Sequence, residues 1–188
     1  MSQFVVRKVT EQDRKRLSEL IVLAFESELL QISKDMTKVA SALESSFLLE
    51  RFFVYEQDGE ILGVISCSDC YGRAYRIDKE ALKKHFGLVK GTMVAIFLKK
   101  EYMTPLNYPL TTGYIENVAV DNKVRRMGVA TKLLDAVIAE TNYTEYVLDV
   151  LKDNIVAQNC YKKFGFDVFD NVQNKKSRKK LYMKYIKQ

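Results

Sequence analysis

Tryptophan is absent from this chain of 188 residues, histidine occurs once, proline twice and cysteine three times. Cys67, Cys70, Cys160 and His85 are too few for paired zinc sites and do not look like a disulfide framework, so a reducing cytoplasm is the expected home and no metal is expected. With two prolines and eight glycines, no collagen-like or low-complexity stretch is present. The longest apolar runs, at 20–25 and 93–98, are core-sized and far short of the ~20 residues a membrane span needs. The N-terminal stretch meets charge too soon to hold the apolar segment of a signal peptide. No linker or internal repeat divides the chain, and its length falls within the ~100–200 residues usual for one domain, so residues 1–188 are read as a single domain.

What is present is 47% hydrophobic and 29% charged, a balance that excludes a disordered tail protein. The net charge of +6 raises the question of a polyanionic partner: nucleic acid, an anionic membrane or a phosphorylated cofactor. Its distribution narrows the choice. No acidic residue follows Asp170, whereas Lys175, Lys176, Arg178, Lys179, Lys180, Lys184 and Lys187 all do, which leaves residues 1–170 one charge on the acidic side of neutral. Lys175 to Lys180 reads as a solvated loop between the last two strands that also blunts a sheet edge. No recognition helix or aromatic-interleaved basic pattern accompanies it, so neither nucleic acid nor a membrane is the expected partner.

Hydrophobic periodicity predicts a strand over 4–9, a helix from Thr10 to about Phe25 with Leu17, Leu20, Ile21 and Ala24 on one face, and a second helix over 36–49. Apolar runs at 52–56 and 61–68 flank Asp58-Gly59, a hairpin signal. A helix over 78–86 follows, interrupted at Gly87 and Gly91, and another runs from Thr92 to about Met103. From Tyr114 the pattern is strand (114–120), turn, helix (128–140), strand (145–151) and helix (about 155–164). Short strands at 166–169 and 181–186 complete it. Strand, helix, strand in that order requires a right-handed crossover between parallel or near-parallel neighbours.

The most informative stretch is a β-branched strand, Val118-Ala119-Val120, that runs into the polar, basic turn Asp121-Asn122-Lys123-Val124-Arg125-Arg126-Met127. Gly128 and Ala130 then open a helix with the apolar stripe Leu133, Leu134, Val137 and Ile138. Free amides and the positive end of the dipole at such a helix start make an anion site. Small residues at 128 and 130 let a phosphate approach the backbone, while Lys123, Arg125 and Arg126 add charge. The other reading is an ordinary strand-to-helix turn with a solvated basic patch. It is not a Walker loop, lacking Gly-Lys-Ser/Thr, nor a Rossmann fingerprint, lacking the three-glycine spacing.

The string Arg125-x-x-Gly128-x-Ala130 after a Val-Ala-Val strand resembles the acetyl-CoA pyrophosphate loop of the GNAT superfamily of N-acetyltransferases. Asn154, Ala157, Tyr161, Gly165 and Phe166 stand at the spacing of that family's second motif. The two motifs occur in order, separated by a helix and a strand. The close match covers 114–166; the N-terminal half agrees in element order only.

The resemblance implies an α/β fold with a mixed, mostly antiparallel twisted sheet, helices on both faces, and central strands splayed at the acetyl-CoA site. Backbone groups of Val118 and Val120, flanking Ala119, would pair with pantetheine and the thioester carbonyl, one of them as an oxyanion donor. The amides of Arg126, Met127, Gly128, Val129, Ala130 and Thr131, following Arg125, would hold the pyrophosphate. Tyr161 would give a proton to the departing CoA thiolate; its other reading is a packing tyrosine. Asn154, with Ala157, would serve the pantetheine or adenosine arm, against a plain helix cap. Glu116, two residues before Val118 on the same strand face by alternation, would take the ammonium proton, against an ordinary strand acid. Glu26 and Glu28 would line the acceptor mouth or simply end a helix.

Cys67-x-x-Cys70 lies in a strand rather than at a helix start, so free thiols are expected. Cys160 reads as a packing residue and His85 as a surface one. Tyr71, Tyr75, Tyr102, Tyr108 and Tyr114 fall in the section where family members vary, as acceptor pocket wall, core or dimer contacts. The expectation is acetyl transfer from acetyl-CoA to a primary amine of a small molecule or peptide, in a family where homodimers are common. The rival is a non-catalytic acyl-CoA-binding or regulatory module on the same fold.

Overall fold

The computed structural model describes residues 3–169 and 179–187. In chain order the elements are β1 (Phe4–Lys8), α1 (Arg14–Ala24), α2 (Glu26–Leu29), α3 (Met36–Leu43), β2 (Phe52–Gln57), β3 (Glu60–Ser68), α4 (Lys79–Phe86) and α5 (Leu88–Tyr102). The second half holds β4 (Thr112–Val120), α6 (Val129–Glu140), β5 (Glu145–Leu151), α7 (Ile155–Phe164), β6 (Asp167–Val168) and β7 (Lys180–Ile186). The strands form one sheet in the order β1-β2-β3-β4-β5-β7-β6. Every neighbouring pair is antiparallel except β4–β5, which α6 connects and which therefore run parallel.

Strand alternation sends side chains to two cores. Phe52, Val54 and Val64 meet Leu17, Ile21, Val39, Leu82 and Leu98 of α1, α3, α4 and α5 on one face. On the other, Phe53, Tyr55 and Ile65 meet Leu133, Leu134 and Val137 of α6 and Tyr161 of α7. The expected α/β architecture, with helices on both faces of a mostly antiparallel sheet, is what the chain adopts. The β2–β3 hairpin turns through Asp58 and Gly59 at φ 51° and 83°, the pair of positive values that a type I′ turn requires.

Two expectations need correction. The helix over 36–49 stops at Leu43, because Ser45 and Ser46 bond elsewhere: the Ser46 carbonyl accepts from the Arg76 amide (2.8 Å) and its hydroxyl from the Asp78 amide (3.0 Å). Serine hydroxyls that find backbone partners off the helix end it. Gly91 interrupts nothing. Gly87, at φ 83°, separates the two helices, and Gly91 lies inside α5, where an added Cβ would come within 2.5 Å of the Lys83 backbone. It is a glycine of close helix approach rather than a break.

Three local features shape the middle of the sheet. β4 pairs with β5 only through residues 112–115, opposite 145–148; beyond this, residues 116–120 bond β3 alone and 149–151 bond β7 alone. The two parallel strands thus fork. On the other edge of β4 the register with β3 shifts between Val64 and Ser66, so that one β3 residue faces both Asn117 and Val118. Asn117 sits at φ 58°, the left-handed conformation of a β-bulge. Finally, Gly63 of β3 leaves room for α6: a Cβ there would lie 2.8 Å from Val129 Cγ1 and 3.1 Å from Leu133 Cδ1.

Candidate active site

The loop after β4 is anchored at both ends. The Asp121 carboxylate accepts from the Lys123 amide (2.9 Å) and pairs with Arg16 of α1 (2.7 Å), whose Nε also donates to the Ile61 carbonyl. At the far end Val129 is buried against Gly63. Between these anchors Arg126 and Gly128 take φ 66° and 78°, which turns the chain so that α6 begins without a side-chain cap. The first backbone bond of the helix runs from the Lys132 amide to the Gly128 carbonyl. Among the described residues the amides of Arg126, Gly128, Val129, Ala130 and Thr131 have no acceptor, whereas that of Met127 is spent on Val124. Arg125, Arg126, Met127 and Gly128 are exposed. Lys123 turns to Glu60 instead (2.7 Å). A row of free amides at a helix start, with no Cβ at 128 and arginines beside it, fits a pyrophosphate.

The Asp121 amide donates to the Leu62 carbonyl (2.8 Å). By alternation Ala119 also turns its backbone to β3, and Val118 and Val120 turn theirs into the fork. Their side chains pack beside the α6 core, while that of Ala119 joins the opposite one.

Glu116 does not share a face with Val118, as simple alternation would have it. The bulge at Asn117 puts the side chains of Glu116 and Asn117 together on the α1–α5 face. There Glu116 Oε2 takes Arg73 Nε (3.0 Å) and Nη2 (2.5 Å), and Oε1 takes the Ser68 hydroxyl and the Ala74 amide (3.3 Å). Both side chains are mostly out of solvent, Glu116 at 8% and Arg73 at 13% side-chain exposure. Asn117 accepts from the Tyr75 hydroxyl and donates to Ser66 Oγ (2.8 Å). Across the fork Asp149, the first β5 residue beyond the paired stretch, accepts from the Tyr114 hydroxyl and pairs with Lys180 (2.9 Å). Lys180, expected in a loop, is the first residue of β7; residues 170–178, with Lys175, Lys176 and Arg178, lie outside the described residues.

On the β5 side, Asn154 caps α7 through the Ala157 amide (3.1 Å), and Gln158 Nε2 donates to the carbonyls of Leu151 and Lys152. Tyr161, 8% exposed, packs edge-on to Phe166 with ring centres 6.0 Å apart. Burial, and then the charges of Cys160 and Asp149, push its phenol well above the ordinary value, so it is protonated throughout the neutral range.

Of the other residues singled out by sequence, Glu28 lies close enough to Tyr102 to help raise its phenol, after burial and Glu101. Glu26 and Tyr71 are exposed, Tyr108 stacks on Tyr114 (5.9 Å), and His85 is half-buried. The three cysteines are free, and burial pushes the Cys67 thiol up to about 12. Cys67 borders a cavity of about 230 Å³ with Lys8, Arg51, Asp69 and Tyr143, at the opposite end of β3 from Gly63. Among the described residues no group of His, Cys, Asp or Glu is placed to hold a metal, and no helix is long and apolar enough to cross a membrane. Sequence reading missed Arg73, Asp149 and Asn117; the last is a residue type that tolerates positive φ.

Comparison with known proteins fits this geometry. Residues 17–166 match the model of the Acetyltransferase (GNAT) family, and the chain belongs to that family. An N-acetyltransferase from Staphylococcus aureus Mu50 superposes with a TM-score of 0.63 at 22% identity, covering 96% of this chain and 98% of the other. PaiA N-acetyltransferase from Thermoplasma acidophilum, in complex with coenzyme A, gives 0.60 at 13% identity over 98% and 99% of the two chains. Ribosomal-protein-alanine N-acetyltransferase from Brucella melitensis gives 0.58 at 18% identity over 97% and 99%. These likenesses show the fold. No curated protein matches the sequence.

Proposed function

We propose that this protein transfers the acetyl group of acetyl-CoA directly to a primary amine within a ternary complex. The observation that carries the reading is the fork between β4 and β5, open beside the free amides at the start of α6. Coenzyme A bound to the Thermoplasma acidophilum relative supports it. The amides of Arg126 and of residues 128–131 hold the pyrophosphate, with Arg125 and Arg126 adding charge. Val118 and Val120 offer backbone groups to the pantetheine arm, and an N–H from this pair donates to the thioester oxygen as negative charge builds on it, usually the largest catalytic contribution in acyl transfer.

As the amine forms its bond to the acetyl carbon and the carbon–sulfur bond breaks, the nitrogen must lose a proton and the thiolate must gain one. Tyr161 supplies the second proton from a phenol that burial keeps protonated. Glu116 receives the first. Its oxygens are already occupied by Arg73, Ser68 and Ala74, so the proton reaches it through the Ser68 hydroxyl or a water rather than by direct contact. The acceptor enters from the α1–α5 face, where Glu116 and Asn117 point. Asn154 holds the start of α7, and with it Tyr161, in place.

Acetyl-CoA is expected to raise the melting temperature, since a ligand of the native state stabilises it, and to release free thiol when an amine is added. Tyr161→Phe should lower kcat by about 100-fold, as loss of a general acid does, with little change in acetyl-CoA affinity; an unchanged kcat removes Tyr161 as the acid. A second reading, a non-catalytic acyl-CoA-binding module, draws on the occupied state of Glu116. Stabilisation by acetyl-CoA without thiol release across an amine panel would establish it in place of the first.

A further inference from the structure

A cavity of about 40 Å³ opens between α1, α2, α3 and α5, with Asn117 as its floor and Phe25, Leu29, Phe47, Tyr75 and Tyr102 among its walls. Asn117 is the immediate chain neighbour of Val118, so the cavity borders the strand segment whose backbone is offered to the thioester. No charged side chain lines the cavity. At the Asn117 end the polar side chains bond one another. The Tyr75 hydroxyl donates to Asn117 Oδ1, Asn117 Nδ2 donates to Ser66 Oγ, and Ser66 in turn donates to the Glu116 carbonyl (3.0 Å). Burial, then the charges of Glu116 and Tyr102, hold the Tyr75 phenol neutral.

From this arrangement, and resting on the acetyl-transfer reading above, we infer that the acceptor is a primary monoamine on a compact apolar substituent. The nitrogen lies at the floor beside Val118 and the substituent extends along Phe25, Leu29 and Phe47. A second charge on the acceptor would be desolvated there with no charged partner, a cost that the apolar contacts do not offset. The volume limits the substituent to a few carbon atoms, given that a cavity needs roughly 10–15 Å³ to hold one water. A polyamine, whose far ammonium would enter the cavity, and a free amino acid, whose carboxylate would sit beside the floor, are both disfavoured. The carboxylate of Glu28, next in the chain to the wall residue Leu29 and close enough to Tyr102 to help raise its phenol, attracts the incoming ammonium before it is desolvated.

The test uses the full chain with saturating acetyl-CoA and reads thiol release. Isobutylamine and isopentylamine should show kcat/KM at least about tenfold above putrescine, ethanolamine and glycine, the discrimination one misplaced group imposes in an apolar pocket. A leucine-initiated tripeptide amide is the arm for the other source of the same chemistry: turnover equal to isopentylamine keeps the apolar-substituent assignment and identifies a peptide terminus. Phe25→Asp, a change at the partly buried rim, should shift the isopentylamine-to-putrescine ratio at least about tenfold toward putrescine. Both amines are read on one preparation, so loss of folded protein does not move that ratio. Putrescine or glycine equal to or better than the apolar amines, or a ratio unmoved by Phe25→Asp, overturns the inference and leaves acetyl transfer standing. No thiol release with any amine overturns the acetyl-transfer reading beneath it.

Discussion

Two helices begin at the open end of the fork, one on each side, and their first turns are built in opposite ways. α7 closes itself: Asn154 takes the Ala157 amide, and Gln158 reaches back to the carbonyls at the end of β5. α6 leaves its amides free behind a glycine at positive φ. The same backbone potential is spent internally on one side and left open on the other. α3 and α4 are closed like α7, by Asp35 and Asp78. Helices α1, α2 and α5 also start without a side-chain cap, so what sets α6 apart is that its uncapped start stands at the open end of the fork.

The contrast can be broken by giving α6 what it lacks. Thr131→Glu puts a carboxylate in the first turn, where it favours the helix by about 0.3–1 kcal/mol. The same charge should weaken acetyl-CoA binding about 100-fold, by repulsion at close range. Calorimetry and thermal melting on one variant thus check two changes of opposite sign, and unchanged affinity would mean that phosphate does not sit there. Next in size is Gln158→Leu, which removes one donor from each of the Leu151 and Lys152 carbonyls, the former keeping the Asn154 amide, and should cost about 1.5 kcal/mol in denaturant unfolding. Asn154→Ala should cost about 1 kcal/mol as a lost cap. If acetyl-CoA affinity also falls tenfold or more, Asn154 serves the ligand as well as the helix. The smallest expected effect is none. Because the Tyr161 phenol is raised rather than lowered, its acid form persists on the alkaline side, so kcat should show no fall due to this group up to about pH 10, the ordinary value for tyrosine. A loss of rate centred near pH 8–9 that Tyr161→Phe abolishes would contradict the buried, high phenol.

The turn into α6 was legible in sequence because its information is local: glycine placement, β-branched strand and apolar helix stripe all lie within a short window. The cap at Asn154 was legible for the same reason. The face taken by Glu116 was not. Alternation is a rule for unbroken strands, and the bulge at Asn117 arises from how β4 registers with β3, some fifty residues away in the chain for the pair Ser66 and Glu116. Arg73, the partner that occupies Glu116, is equally remote. Gly91 shows the general difficulty. A glycine inside a helical pattern signals either a stop or a close neighbour, and only the packing of α5 on α4 decides between them.

The loop that carries the free amides hangs between two fixed points, the Arg16–Asp121 pair at one end and Val129 seated on Gly63 at the other. A segment tethered in this way has little conformational freedom left to surrender when a ligand arrives, so more of the contact energy appears as affinity. Affinity is then adjustable from a distance. Gly63 and Arg16 lie outside the loop itself, and changes at either would act by restoring slack to the loop.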